Sequence, residues 1–260
     1  MTYLSHLPNA LLIVVIVLIA SALALVPYLL ARRVMLARAD EHSKDLAGSV
    51  LFRIGALHSL ILALIFAQEL LNFSEARHAM TREATLVGDI YYDLQRYDDE
   101  ATASVQTHLV DYTAIVLERE WPGLARQGQL DEQAWAEWQH VYHAILDLVP
   151  ETRRQDSLRE IMLGQVRELS ELRINRETAA LVGTNDLFFF AAIAGIVVMS
   201  IGYFPFPPTP VNLTLLLLFG VYTGLVLYFI IAFSNPFSAP GYVEPFRFER
   251  LYEGMVGATG

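Results

Sequence analysis

Four long apolar runs constrain this 260-residue chain more than any other feature. Residues 9–31 carry no Asp, Glu, Lys, Arg or His and match the roughly 20 helical residues that a bilayer core requires. No basic segment precedes this run and no small-x-small site follows it, so it reads as a span and not as a cleaved signal peptide. Pro27 is tolerable near its end. Residues 187–204 and 211–233 are also uncharged, and Asn185 and Asp186 are placed to cap the first of them. Between those two runs, Pro205-Phe206-Pro207-Pro208-Thr209-Pro210 cannot continue a helix, which predicts a tight transmembrane hairpin. Tyr203, near a span end, suits the membrane interface.

The remaining run, residues 50–73, is the exception. It holds Arg53, His58, Gln68, Glu69 and Asn72. On an ideal helix His58, Gln68, Glu69 and Asn72 share one face about 100° wide, with Arg53 off that stripe near the start of the span. A polar stripe on an otherwise apolar helix should face protein or water, and ionisable groups inside a membrane mark a functional site. These five residues are therefore the candidates for lining an ion path. A neutral His58 bonded between helices and an Arg53 that snorkels to the headgroups are the competing structural readings. Gly55 and Ser59 form a small-xxx-small pair that would let another helix approach closely.

Residues 74–186 differ in kind. They carry 11 arginines against 21 aspartates and glutamates, a net charge of −10 that equals the formal charge of the whole chain. Helical periodicity runs through them with no strand-like alternation. The first helix should continue from the second span to about Asp99, and a further helical stretch should reach Trp121. Breaks are expected at Pro122, Gly123 and Gly128, then a helix from Glu132 to about Leu148 capped by Asp131. A last helix, from about Arg153 to Val182, leads towards the third span. The fold class is thus all-α: an integral membrane protein with four transmembrane helices in two pairs and a long-helix bundle inserted between them. The domains are a helix pair at 1–73, an acidic water-soluble bundle at 74–186, a transmembrane hairpin at 187–233 and a Pro/aromatic tail at 234–260, read as an ordered, non-helical cap.

Composition removes several functions. A surface this acidic is a poor match for nucleic acid, which needs clustered Lys and Arg. There is no cysteine, hence no disulfide, thiolate catalysis or Cys-ligated metal. No phosphate-cradling glycine loop, G-x-S-x-G or H-E-x-x-H is present, so the chain reads as non-enzymatic and without a cofactor. His140 and His143, spaced i, i+3, are weak metal candidates. Trp135, Trp138 and Tyr142 around them favour aromatic packing instead. The acidic run Asp98-Asp99-Glu100 lacks the glycine turn and alternating ligands of a calcium loop and reads as a solvated face.

Arg32, Arg33, Arg38 and Lys44 follow the first span, whereas only the amino terminus and His6 precede it. The positive-inside rule puts that connection in the cytoplasm and the bundle outside. Arg77, Arg82, Arg167, Arg173, Arg176, Arg247 and Arg250 count against this orientation.

Several short motifs, in order and spacing, resemble the bacterial bestrophin-like membrane protein family over nearly the whole chain. They include Glu41-His42-Ser43-Lys44-Asp45-Leu46-Ala47-Gly48 before the second span, Gly55 with Leu62-Ala63-Leu64, and Glu120-Trp121-Pro122. Arg173 and Arg176 follow, then Asn235-Pro236-Phe237-Ser238, which is similar to a family H-P-F-S-G element. Ser43 stands where the family tends to have Asn, and Ala239 where it has Gly. The resemblance implies a four-span protein assembling around a symmetric axis, as bestrophins do; those are pentameric anion channels. It also implies a cytosolic large domain, opposite to the charge argument. The leading expectation is an oligomeric bestrophin-like ion channel, with anions as the candidate ions, the second span lining the path, and the lipid bilayer and further copies of the chain as partners. The alternative is a non-enzymatic membrane sensor or interaction protein that displays its helical bundle.

Overall fold

The computed structural model describes residues 9–35, 41–181 and 186–259, without the side chains of 41–43, 99, 258 and 259. Among the described residues there are helices and no strands: α1 (Asn9–Met35), α2 (Glu41–Ile115), α3 (Trp121–Gln127), α4 (Glu132–Asp147), α5 (Arg153–Leu181), α6 (Asp186–Gly202), α7 (Pro210–Phe233) and α8 (Phe246–Thr259). Four helical stretches are long and apolar enough to cross a membrane. The chain divides into two compact units, 1–72 with 184–234 and 73–183 with 235–260. The expected caps of the third span separate here. Asp186 is the first residue of α6, while Asn185 and Val182 lie outside the described residues.

In the apolar unit, α1 packs against α7 and α6. The closeness of α1 and α7 has a local cause. A Cβ on Gly220 would stand 2.7 Å from Ser21 Cα, and one on Gly224 would stand 2.8 Å from Val17 Cα. Only glycine permits that backbone approach, and without a hydrophobic drive between helices in lipid, such close packing is what holds spans together. Pro27 lies inside α1, and Ser200 of α6 bonds the helical turn beside it. Its Oγ accepts from Tyr28 N–H at 2.9 Å and donates to the Ala24 carbonyl at 2.5 Å. The hydroxyl thus bridges the N–H and C=O of one helical turn next to Pro27 and fixes α6 against α1 there. Tyr28 Oη donates to the Phe206 carbonyl, and Arg32 NH1 donates to the Phe204 and Phe206 carbonyls, each at 2.9 Å. The proline turn between α6 and α7 is thereby tied to the end of α1, and Thr209 caps α7 with Pro210 as its first residue.

In the polar unit, α2 breaks at Asp98, whose backbone is extended (φ −170°, ψ 107°). Asp98 Oδ1 then accepts from Ala101 N–H at 3.1 Å and caps the helix that follows. This acidic run is therefore a helix start; the Asp99 side chain lies outside the described residues. A π-helical turn, Val116–Glu120, leads into α3, which ends at Gly128 in the left-handed region (φ 66°). Asp131 caps α4 by accepting from Gln133 N–H at 2.9 Å. The core of this unit joins Leu86, Ile90, Leu94, Leu109, Val141, Met162 and Val166 with Phe237, Phe248 and Met255 of the tail.

The tail corrects the expectation of a non-helical cap. Its second half is the helix α8. Pro245 starts it, its carbonyl accepting from Glu249 N–H at 3.0 Å, and the apolar residues Phe248, Leu251 and Met255 recur at helical spacing on the face turned to the core. Prolines and aromatics dominate the first half of the tail and hide this short amphipathic pattern.

Candidate functional site

The polar residues of the second span do not stay together. His58 and Glu69 are buried, at 4% and 5% exposure, whereas Arg53, Gln68 and Asn72 are exposed. Gln68 Nε2 donates to Asn72 Oδ1 at 2.8 Å. The edge of packing thus runs through the middle of the 100° stripe, since a stripe that wide exceeds what one neighbouring helix covers. His58 and Glu69 are thus enclosed by their own chain, while Gln68 and Asn72 stay on its outer face. Gly195 of α6 makes room for His58; a Cβ there would overlap the imidazole ring. His58 also lies 6.0 Å from the Phe219 ring, centroid to centroid, and its Nε2 has no hydrogen-bond partner among the described residues. A cleft of 270 Å³ opens beside it, lined by Ser59, Leu62, Phe66, Phe219 and Thr223. Ser59 belongs to this cleft, while Gly55 faces α6, where an added Cβ would be 3.1 Å from Met199 Cε. The backbone-to-backbone approach of two spans is made at Gly220 and Gly224. That glycine pair was legible as G-x-x-x-G in the sequence, but nothing there showed which partner it met.

A second constellation lies in the polar unit. Arg173 NH2 donates to Glu120 Oε2 at 2.9 Å, and Arg176 pairs with both Glu120 and Glu83, the latter at 3.1 Å. All four side chains are at most 1% exposed. Two cations face two anions, so the group is neutral, as a buried ionic cluster must be to survive desolvation. Tyr112 Oη donates to Glu83 Oε1 at 2.9 Å, and burial, with the Glu83 carboxylate next in effect, pushes this phenol up to about 12. It therefore stays protonated and donates throughout the ordinary pH range. Glu120 also accepts from the Asp131 N–H at 2.9 Å. Arg173 stacks over Trp135 at 4.5 Å and Tyr112 at 5.0 Å, and Arg176 lies 5.6 Å from the centre of Trp121.

Three motifs far apart in sequence meet here. Trp121 packs edge-on against Phe237 at 5.3 Å and its Nε1 donates to the Val243 carbonyl at 3.2 Å. Asn235 Oδ1 accepts from Phe237 N–H at 2.8 Å, fixing the bend that Pro236 begins. Pro122 is exposed in the first turn of α3, directly after the π-helical turn. Gly48, in the apolar unit, is turned to Phe206. The side chains of Glu41 and His42 lie outside the described residues.

His140 and His143 part company. His143 is exposed beside Tyr142, whereas His140 joins His108 and Glu137, three ligand atoms lying within 4.8 Å of one another. Trp135, Trp138 and Tyr142 pack as expected, with Trp138 Nε1 donating to the Val166 carbonyl at 3.2 Å.

A family model described as a Bestrophin-like domain matches residues 18–245. The chain belongs to the Bestrophin-like family. The fold agrees with that membership. One crystal structure of a bacterial Bestrophin homolog from Klebsiella pneumoniae, a single-substitution variant, is 14% identical with a TM-score of 0.68, covering 95% of this chain and 99% of that chain. A second variant is 12% identical with a TM-score of 0.67, covering 94% and 99%. A further crystal structure, described as a membrane protein, is 12% identical with a TM-score of 0.66, covering 95% and 98%. At such identities the likeness is one of fold. No curated protein matches the sequence. The bestrophin-like membership and the four candidate spans make this a helical membrane protein.

Proposed function

We propose that this Bestrophin-like chain forms a homo-oligomeric, anion-conducting channel in the bacterial inner membrane, non-enzymatic, with the outer face of the second span lining the path. The observation that supports this most is the exposed Gln68–Asn72 pair, bonded to each other at 2.8 Å on the outside of an otherwise apolar span. Polar side chains turned to lipid are costly, and a second copy or a water-filled path relieves that cost. Arg53, exposed on the same span and one helix end away, supplies a positive charge suited to anions. Leu57, Leu60 and Leu64, each more than half exposed, form the apolar stretch between them.

Purified protein in sealed liposomes should be an oligomer and should pass chloride. Replacing Gln68 and Asn72 together by leucine should cut the flux, and Arg53→Glu should shift preference from chloride towards potassium. A monodisperse monomer that leaves vesicles sealed would overturn the proposal.

The charge distribution supports an extracytoplasmic bundle. Arg32, tied to the α6–α7 turn, shares its membrane end with Arg33, Lys44 and Arg53. Of the opposing arginines, Arg173 and Arg176 are neutralised in the buried cluster and Arg82 pairs with Glu168 at 2.7 Å, where the Arg82 hydrogen bond holds the Glu168 carboxyl below its ordinary range. The natural lack of cysteine makes this testable. On intact cells a membrane-impermeant maleimide should label Glu132→Cys and should reach Asp45→Cys only after permeabilisation. The reverse pattern would establish the cytosolic bundle that the family resemblance implies.

A further inference from the structure

We propose that His108, Glu137 and His140 form a binding site for a first-row transition-metal dication, zinc being the best fit. His108 comes from α2 beyond the Asp98 break, and Glu137 and His140 are one turn apart on α4. His108 Nδ1 lies 2.6 Å from Glu137 Oε2, and His140 Nδ1 lies 3.8 Å from the same oxygen. The two imidazole rings are 4.8 Å apart, centroid to centroid. Two histidines from different helices thus turn the same ring nitrogen towards one carboxylate oxygen. A shared proton accounts for the first contact only, because 3.8 Å is beyond hydrogen-bond reach. A dication seated among the three ligand atoms would engage both nitrogens and the oxygen at once.

The geometry needs little change. Zinc–ligand bonds of about 2.0–2.1 Å in a tetrahedral shell put neighbouring ligand atoms about 3.3 Å apart. The distances of 2.6 and 3.8 Å lie on either side of that value and the three ligand atoms lie within 4.8 Å of one another, so side-chain rotations of about an ångström would seat the ion. Accessibility is graded in the way an entry route requires. The Glu137 side chain is 14% exposed, His108 37% and His140 59%. Two imidazoles and one carboxylate are the donors zinc accepts, leaving a fourth position for water. Calcium and magnesium prefer an all-oxygen shell. The site would fasten α4 to the second half of α2 and so stabilise the bundle by binding only its folded form.

The test uses the full-length, tag-free protein in detergent, stripped with chelator and then titrated with zinc chloride at neutral pH. One zinc per chain should bind, and saturating zinc should raise the melting temperature by roughly 2–4 °C. His108→Ala, Glu137→Gln and His140→Ala should each weaken binding by at least about tenfold and lose the thermal shift, while His143→Ala keeps both. Millimolar calcium or magnesium should not compete. His140 is the most exposed of the three, so its alanine variant retains the zinc-free melting temperature and separates loss of a ligand from loss of fold. The proposal is overturned if the wild type binds no more zinc than the His108→Ala/His140→Ala double variant, or if His143→Ala loses as much as His140→Ala.

Discussion

Glu120→Ala is expected to unfold the polar unit. The substitution removes the carboxylate that faces both Arg173 and Arg176 and that accepts from the Asp131 N–H. Glu83 alone then confronts two guanidinium groups that are at most 1% exposed. Removing one partner of a buried ion pair costs about 3–5 kcal/mol, because the remaining charge is left desolvated. Against a total stability of about 5–15 kcal/mol, that is a large share. The same change strips the α4 start of one of its anchors and loosens the seat of Trp121, so the tail that packs on Trp121 should become accessible to protease. Melting followed by circular dichroism, with limited proteolysis of the tail, checks this. Glu168→Ala is the comparison. It breaks an ion pair whose side chains are 51% and 41% exposed, and such pairs contribute at most about 1 kcal/mol. Equal melting temperatures for the two variants would show that the buried cluster does not hold the unit together.

The second large effect is expected at Gly224→Leu. A Cβ at this position meets Val17 Cα at 2.8 Å, and the obstacle is backbone, not a side chain that can rotate away. Overpacking a core ordinarily costs about 1–3 kcal/mol. Here α1 and α7 must separate along their length, because the neighbouring Gly220 is held against Ser21 in the same way, so the loss should reach or exceed the top of that range. The protein should aggregate on extraction or melt well below the wild type. Gly164→Ala is the opposite case. No atom lies within 4 Å of the added methyl group, and Gly164 sits in the interior of α5. It should stabilise by about 0.4–1 kcal/mol through the unfolded chain. Similar melting temperatures for both variants would contradict the close-approach reading.

These two sites show what the sequence by itself determined. The four spans, the acidic helical insertion, the break near Asp98 and the turn at Gly128 are local consequences of apolar length, capping side chains and glycine, and they need no knowledge of neighbours. The motif residues Glu120, Trp121, Arg173, Arg176 and Phe237 were also visible, as separate marks on the chain. That they form one buried cluster was not, because an ion pair across 53 residues, such as Arg173 with Glu120, has no periodic signature.

Only the tertiary structure decided three further points. It divided the second span's polar stripe, since helical periodicity ranks residues by angle but cannot say where on that circle the neighbouring helices end. His58 and Glu69 fell inside that boundary and Gln68 and Asn72 outside it. It brought His140 beside His108 and Glu137 and left His143 apart, because side chains on different helices are brought together by packing and not by spacing. And it set the Ser200 hydroxyl against the α1 turn beside Pro27, a contact that a reading of α1 alone could not contain, because the bonded groups lie 172 or more residues apart. Local chemistry set the elements; the boundary between buried and exposed surface, which depends on every element at once, set the candidate site.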